Sequence, residues 1–221
     1  MAEYRFDKFF DYFLKKMGEP YAVQEADEKV MKAYQDKLPE QLFTYWRGVG
    51  WCGFGEGRMW MVNPFEYEEI LSQRLKGTQL ENRKDLSVIA RDAFGKLYVW
   101  AKGKGHLLDI DPNLNTIALY SDIDKRNLTK VEENRKMRIF WAAKSPKNIE
   151  LYDEQRKPMF EKVFTKLGKL QSNEMYGWKH HIAISGERSV ENMAKQNIFV
   201  FHDIANQLEK PDTSMGIEGL M

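Results

Sequence analysis

The sequence predicts an α+β protein, an antiparallel β-meander flanked by helices with a mainly helical C-terminal part. Three observations carry that reading. Apolar residues recur at helical spacing ahead of Gly48. From Leu86 to Tyr120, short apolar runs alternate with tight-turn residues, as successive antiparallel strands do. Beyond Pro146 the helical spacing returns.

Taken in order, Phe6, Phe9, Phe10, Phe13, Leu14 and Met17 share one face of a first helix, which Gly18 and Pro20 end. A second helix fits 25–37, with Ala26, Val30, Ala33 and Tyr34 on one side. Pro39 suits the first turn of a third, which buries Leu42, Phe43 and Trp46 and ends at Gly48. Trp51–Phe54 and Arg58–Val62 read as two strands joined by Gly55-Glu56-Gly57. Asn63-Pro64-Phe65-Glu66 starts a helix, with a capping Asn, Pro at the first position and an acid three after the cap. That helix carries Phe65, Ile70, Leu71 and Leu75 and stops at Gly77.

Strands follow near 86–91, 97–101, 106–110 and 115–120, with turns at Asp92–Lys96, Gly103–Gly105 and Asp111–Asn113. A polar stretch at 121–136 leads to a helical cluster of Met137, Ile139, Phe140 and Trp141. Pro146 interrupts, which divides the chain into 1–145 and a smaller part, 146–221. A helix fits 157–167 through Met159, Phe160, Val163, Phe164 and Leu167, with Gly168 as its stop. Ser189 caps a long last helix, whose seam is Val190, Met193, Ala194, Ile198, Phe201, Ile204, Ala205 and Leu208. Pro211 ends it, and 212–221 is expected to fray.

The 221 residues are 43% hydrophobic and 13% aromatic, enough for a sizeable core. Lys and Arg number 34 against 33 Asp and Glu, so the net charge is +1. That balance argues against a nucleic-acid binder, which needs a basic footprint. Only the middle leans basic, and the stretch 125–147 is the one candidate for a nucleic-acid-binding regulator. Cys52 is the sole cysteine, so no internal disulfide forms. The N-terminal residues mix charges with aromatics, unlike a signal peptide. No apolar run of about 18 residues is present for a membrane span. These features predict a cytoplasmic protein.

The search for chemistry yields little. Gly48-Val49-Gly50-Trp51-Cys52-Gly53 matches G-x-G-x-x-G, but a dinucleotide site needs a strand before it and a helix after it. Here a helix precedes and another glycine-rich turn follows. Cys52 lies in no nucleophile signature. His180 and His181 are neighbours that a strand would point to opposite faces, while His106 and His202 are isolated. The pairs Glu68-Glu69, Glu132-Glu133 and Asp153-Glu154 sit among polar residues, without the burial that separates an acid from a base. No catalytic residue, metal or cofactor is therefore expected, and an enzyme of unrecognised type is kept only as an alternative.

Three segments carry a resemblance. The first is Leu38-Pro39-Glu40-Gln41-Leu42, Tyr45-Trp46, Gly48 to Trp51, and Trp60-Met61-Val62-Asn63-Pro64. The second runs from Ala90-Arg91-Asp92-Ala93-Phe94-Gly95-Lys96 to Trp100. The third is Phe160-Glu161, Lys166 to Leu170, and Glu174-Met175-Tyr176-Gly177-Trp178. In this order they resemble a bacterial family with a GAD-like domain followed by a small C-terminal domain, known from immunity proteins paired with type VI secretion DNase effectors. Trp178 stands where the family has Phe, and Ile184-Ser185-Gly186-Glu187 offers one glycine where a pair is usual. The resemblance implies a protein that binds and neutralises a cognate secreted toxin, a nuclease, in the producing cell. A nuclease presents a basic groove, so acidic surfaces are the candidate toxin contacts: Glu66, Glu68 and Glu69, and Glu187 and Glu191.

Overall fold

The computed structural model describes residues 5–120, 126–208 and 211–215, with side chains as far as 212. Asp7 caps α1 (Lys8–Met17), its carboxylate accepting from the Phe9 and Phe10 N–H groups. β1 (Tyr21–Gln24), α2 (Glu28–Tyr34) and α3 (Glu40–Val49) follow. β2 (Trp51–Phe54) and β3 (Met59–Met61) pair antiparallel across a 3-10 turn, Gly55–Gly57, in which Glu56 takes φ 59°. A second 3-10 turn, Pro64–Tyr67, leads into α4 (Glu68–Leu75). The meander is completed by β4 (Leu86–Asp92), β5 (Leu97–Ala101), β6 (Gly105–Asp111) and β7 (Thr116–Leu119). Then come α5 (Lys130–Ala143), α6 (Phe160–Leu167), a hairpin of β8 (Glu174–Trp178) and β9 (Met193–Asn197), α7 (Ile198–Leu208) and β10 (Asp212–Met215).

The main sheet has the order β1-β2-β3-β4-β5-β6-β7-β10. It is antiparallel from β1 to β7, and β10 joins parallel to β7. Both faces are covered, and β5 shows why. Leu97, Val99 and Ala101 enter one core with Trp60, Tyr67, Phe160, Tyr176 and Trp178, while Tyr98 and Trp100 enter the other with Phe10, Phe13, Trp46 and Trp141. Side chains alternate along a strand, so a run of apolar residues feeds both layers. α1, α3 and α5 cover one face; α4, α6, α7 and the β8–β9 hairpin cover the other.

The α+β architecture, the meander and helices in the C-terminal part are as the sequence predicts. Several local expectations need correction. β1 was missed: it is four residues long and mostly exposed, so no alternation marks it, and Ala22 takes φ 48°. The polar stretch 121–136 is not all connector. α5 begins at Lys130, because Thr129 and Glu132 form a reciprocal capping box; residues 121–125 lie outside the described residues. The long helix from Ser189 is a strand and then a helix. Met193–Asn197 pairs with β8, and the Asn197 side chain accepts from the Phe199 and Val200 N–H groups to start α7 at Ile198. The tail does not fray from 212, because 212–215 is β10; 216–221 lies outside the described residues.

The two sequence segments divided at Pro146 share a core and a hydrogen-bonded joint. The turn Ala93–Gly95 enters the C-terminal part: Tyr176 N–H donates to the Ala93 carbonyl at 2.8 Å, and His202 Nε2 lies 2.9 Å from the Gly95 carbonyl oxygen. Asn113 Nδ2 donates to the Phe94 carbonyl at 2.6 Å, and Trp178 Nε1 donates to the Asn113 carbonyl at 3.1 Å. Arg91, fully buried, donates to the carbonyls of Gln171 and Ser172. Gly95 is required here. Its φ is +79°, and a Cβ would come within 2.4 Å of Met175 Sδ. Gly95→Val is expected to cost about 3 kcal/mol through strain and overpacking, read by urea unfolding; a loss under about 1 kcal/mol would show that the joint yields.

Candidate functional site

The first group of predicted acids sits where α4 starts. Asn63 Oδ1 accepts from Phe65 N–H and sets the turn, so Phe65, Glu66, Glu68 and Glu69 all point outward. Glu68 is already engaged, accepting the Tyr34 hydroxyl at 2.5 Å with Lys37 Nζ at 3.9 Å. Glu66 and Glu69 accept only from the neutral side chains of Asn63 and Gln73 and keep their charge available.

The second group, Glu187 and Glu191, lines a surface groove together with Asp153, Glu154, Lys162 and Arg188. Asp153 is a turn former, accepting from the Gln155 and Lys157 N–H groups. Asn192 holds the loop, accepting from His180 N–H and donating to the carbonyls of His180 and Glu187. Glu154, Glu187 and Glu191 are exposed along the groove. None of the Glu66 group lines it, so the structure keeps the two acidic groups on separate elements.

The residues weighed for chemistry find other places. The Cys52 thiol is buried and pushed up to about 12, far from a thiolate at neutral pH. Gly48–Gly53 closes α3 and runs into β2, with Gly50 at φ +69° and its missing Cβ against the Gln24 carbonyl. His181 bonds the Pro112 carbonyl, His202 the Gly95 carbonyl and His106 the Asp109 carboxylate. Among the described residues no group of three His, Cys, Asp or Glu is placed to hold a metal, and no helix is long and apolar enough to cross a membrane.

In the basic stretch, Arg126 pairs with Glu132, Arg138 bonds Gln41, and Lys144 lies 3.6 Å over the Tyr98 ring. Lys125 lies outside the described residues.

One cluster was not anticipated. Asp92, Lys96, Asp109 and Asp111 gather at the ends of β4, β5 and β6, beside Tyr98, His106, Tyr120 and Lys144. Burial raises the Asp92 carboxyl to about 6. Burial works to lower Lys96, but Asp111, Asp92 and Asp109 hold its ammonium above the ordinary value. Asp92 Oδ1 accepts from the Phe94 and Lys96 N–H groups, and Lys96 Nζ lies 3.2 Å from Asp111. The cluster thus stiffens the turn that enters the C-terminal part. The only sequence signal for it is the alternation Asp109-Ile110-Asp111 at the end of a strand whose middle, Leu107-Leu108, is apolar.

Comparison with known proteins decides the family. The GAD-like domain model matches residues 8–114, and the model for the C-terminal domain of T6SS immunity protein Tdi1 matches 134–209. The chain carries a GAD-like domain followed by a Tdi1-type domain. That pair indicates a type VI secretion immunity protein. The crystal structure of Atu4351 from Agrobacterium tumefaciens has the same fold, with a TM-score of 0.85 and 23% identity over 94% of this chain and 93% of that one. No curated protein matches the sequence significantly. In these terms, the Ala93–Gly95 turn belongs to the GAD-like domain, and the hairpin and α7 that hold it belong to the Tdi1-type domain. α5 lies in the Tdi1 match from Asn134 onward yet packs on α1 and α3 of the GAD-like domain.

Proposed function

We propose that this protein neutralises a cognate type VI secretion toxin of nuclease type by binding it stoichiometrically, without catalysis, in the cytoplasm of the producing bacterium. The match of residues 134–209 to the Tdi1 immunity domain carries the reading. Exposed acids on two elements, Glu66 and Glu69 on one and Glu154, Glu187 and Glu191 on the other, support a partner with a basic groove. Opposite charges speed encounter and fix register more than they add affinity. We also place the domain division at 145/146, which keeps α5 with the helices it packs against.

The test is a pull-down of the tagged chain from its native cells, with mass spectrometry and a DNase assay on the eluate. The expected result is one stoichiometric protein partner whose DNase activity appears only once the immunity protein is stripped away. Nucleic acid without a protein partner would overturn the proposal and favour the regulator. With the partner in hand, Glu187→Lys/Glu191→Lys and Glu66→Lys/Glu69→Lys test the acids. Reversal at a true contact is expected to raise Kd roughly tenfold or more, about 1.4 kcal/mol. An unchanged Kd for both would place the interface elsewhere.

A further inference from the structure

Several lysines stand over aromatic rings, and Lys144 differs from the rest in what surrounds its ammonium. Lys8, over Phe9, is exposed to water. Lys37 and Lys169, over Tyr34 and Tyr21, have Glu68 and Glu56 at 3.9 and 3.3 Å. Lys16, over Tyr12, donates to the Ala142 carbonyl. Lys144 follows the last residue of α5 and meets two rings, Tyr98 with its Nζ 3.6 Å from the centroid and Phe140 at 4.5 Å. Both rings are buried and Lys144 itself is half-buried. Among the described residues its Nζ has no carboxylate within 4 Å and no hydrogen-bond acceptor.

An ammonium carries three N–H donors. Ring faces attract its charge but accept hydrogen bonds far more weakly than water does. The neutral amine has no charge to strip of water and fewer donors to leave unmet. The groups around it pull both ways. Asp109 of β6 and Asp92 at the end of β4 favour the ammonium, and Lys96 in the turn before β5 opposes it. Asp109 is already shared by His106 and the Tyr120 hydroxyl, and Lys96 by Asp111. From α1, the Lys16 ammonium is held at Ala142, two residues before Lys144. Removal from water outweighs the two carboxylates and brings Lys144 down to about 8. The rings thus hold, at the surface end of the cluster, an amine whose lone pair is free at mildly alkaline pH.

We propose that Lys144, set over Tyr98 and Phe140 without a counter-ion, is a modification site that takes an acyl group from a small acyl phosphate. The Nζ lone pair attacks the acyl carbon and an N–C bond forms. The C–O bond to phosphate breaks, and the proton lost by nitrogen leaves with the phosphate. No further reactant is required. The product is a neutral amide, so the transfer removes the one cation over these two rings and leaves Lys96 to face Asp92, Asp109 and Asp111. The site is independent of the immunity reading and stands whatever the partner of the protein is.

Sparse acetylation of the full-length protein with acetyl phosphate tests this. The reaction is run at a series of pH values, and peptide mass spectrometry gives the initial rate at each lysine. Lys147, exposed three residues further on, is the internal reference. The Lys144 rate is expected to level off above about pH 8, while the Lys147 rate keeps rising toward about pH 10, as for an ordinary lysine. At mildly alkaline pH, Lys144 should lead Lys147 by about fivefold or more, because a far larger share of it is amine. The levelling reads the charge state of Lys144 and the lead reads its access to the reagent. A Lys144 profile that climbs in parallel with that of Lys147, or a Lys144 rate below that of Lys147 at every pH, would overturn the proposal.

Discussion

Glu150→Ala is expected to be the most damaging single substitution outside the apolar core, costing about 3–5 kcal/mol. Glu150 lies in the Tdi1-type match and faces Arg58 of the GAD-like domain, and its carboxylate does two jobs. Oε1 accepts from the N–H groups of Leu151, Met159 and Phe160, which satisfies the start of α6. Oε2 lies 3.6 Å from Arg58 Nη1, and both side chains are 8% exposed. Arg58 also stacks 3.6 Å over the Phe160 ring. Removal of Glu150 leaves the guanidinium buried with only Glu161 as a counter-charge, and Glu161 is 78% exposed. At roughly 2–4 °C per kcal/mol for a chain of this size, the Tm should fall by about 6–20 °C. Glu161→Ala should cost under about 1 kcal/mol, because solvent already screens that pair. A Glu150→Ala loss as small as that of Glu161→Ala, measured by urea unfolding, would refute the assignment.

Acid is expected to reveal two buried groups that work against each other. Burial, with the Arg74 charge nearby, lowers His202 to about 3. The folded state then binds fewer protons than the unfolded state between pH 6.5 and 3, so His202 makes stability fall as pH falls through that window. The full window is worth about 4–5 kcal/mol. Asp92 acts in the opposite sense. Its carboxyl is raised to about 6 by burial, so the folded state binds the extra proton between roughly pH 6 and 4, and stability rises as pH falls there. That gain is about 3 kcal/mol, close to what His202 loses over the same interval. Wild type should thus show little slope from this pair between pH 6 and 4, and a fall below it. Asp92→Asn keeps an acceptor for Phe94 and Lys96 but cannot titrate. It should unmask a loss of roughly 1.4 kcal/mol per pH unit from 6.5 to 4. Urea unfolding at four pH values decides it: parallel curves for the two proteins would show that the Asp92 shift does not exist, and a flat Asp92→Asn curve that the His202 shift does not.

The legible parts of the fold were those that repeat. The aromatic row of α1 and the strand–turn succession from Leu86 to Tyr120 follow the periods of helix and strand, and the structure puts them there. What was missed depends on partners distant in sequence. β9 has the apolar spacing of a helix at Met193 and Ala194, and only β8, itself unmarked by alternation, makes it a strand. β10 exists because β7 offers an open edge. The acids at Glu187 and Glu191 could be named from chain position and resemblance, but the groove that joins them to Glu154 required the return of 187–191 beside 153–155. The Asp92–Lys96–Asp111 cluster was hidden because carboxylates in turns read as turn formers. Ile204 and Leu208 of α7 were misread as part of the core seam, since periodicity cannot say where the covered face of an apolar helix ends.

The joint between the domains bears on how such a protein can diversify. Apart from the carboxylates that face Arg58, its acceptors are mostly main-chain oxygens: those of Ala93, Phe94, Gly95, Pro112, Asn113, Gln171 and Ser172. A main-chain oxygen stays in place when its own side chain is exchanged. Inheritance therefore has to preserve few side chains, chiefly Arg91, Asn113, Trp178, His181, His202 and the Arg58–Glu150 pair, together with the space at Gly95. The outer residues of α4, α7 and the 180–192 loop are left free to drift. A lineage can re-tailor its surface to a changed toxin, one substitution at a time, without passing through a form whose halves come apart.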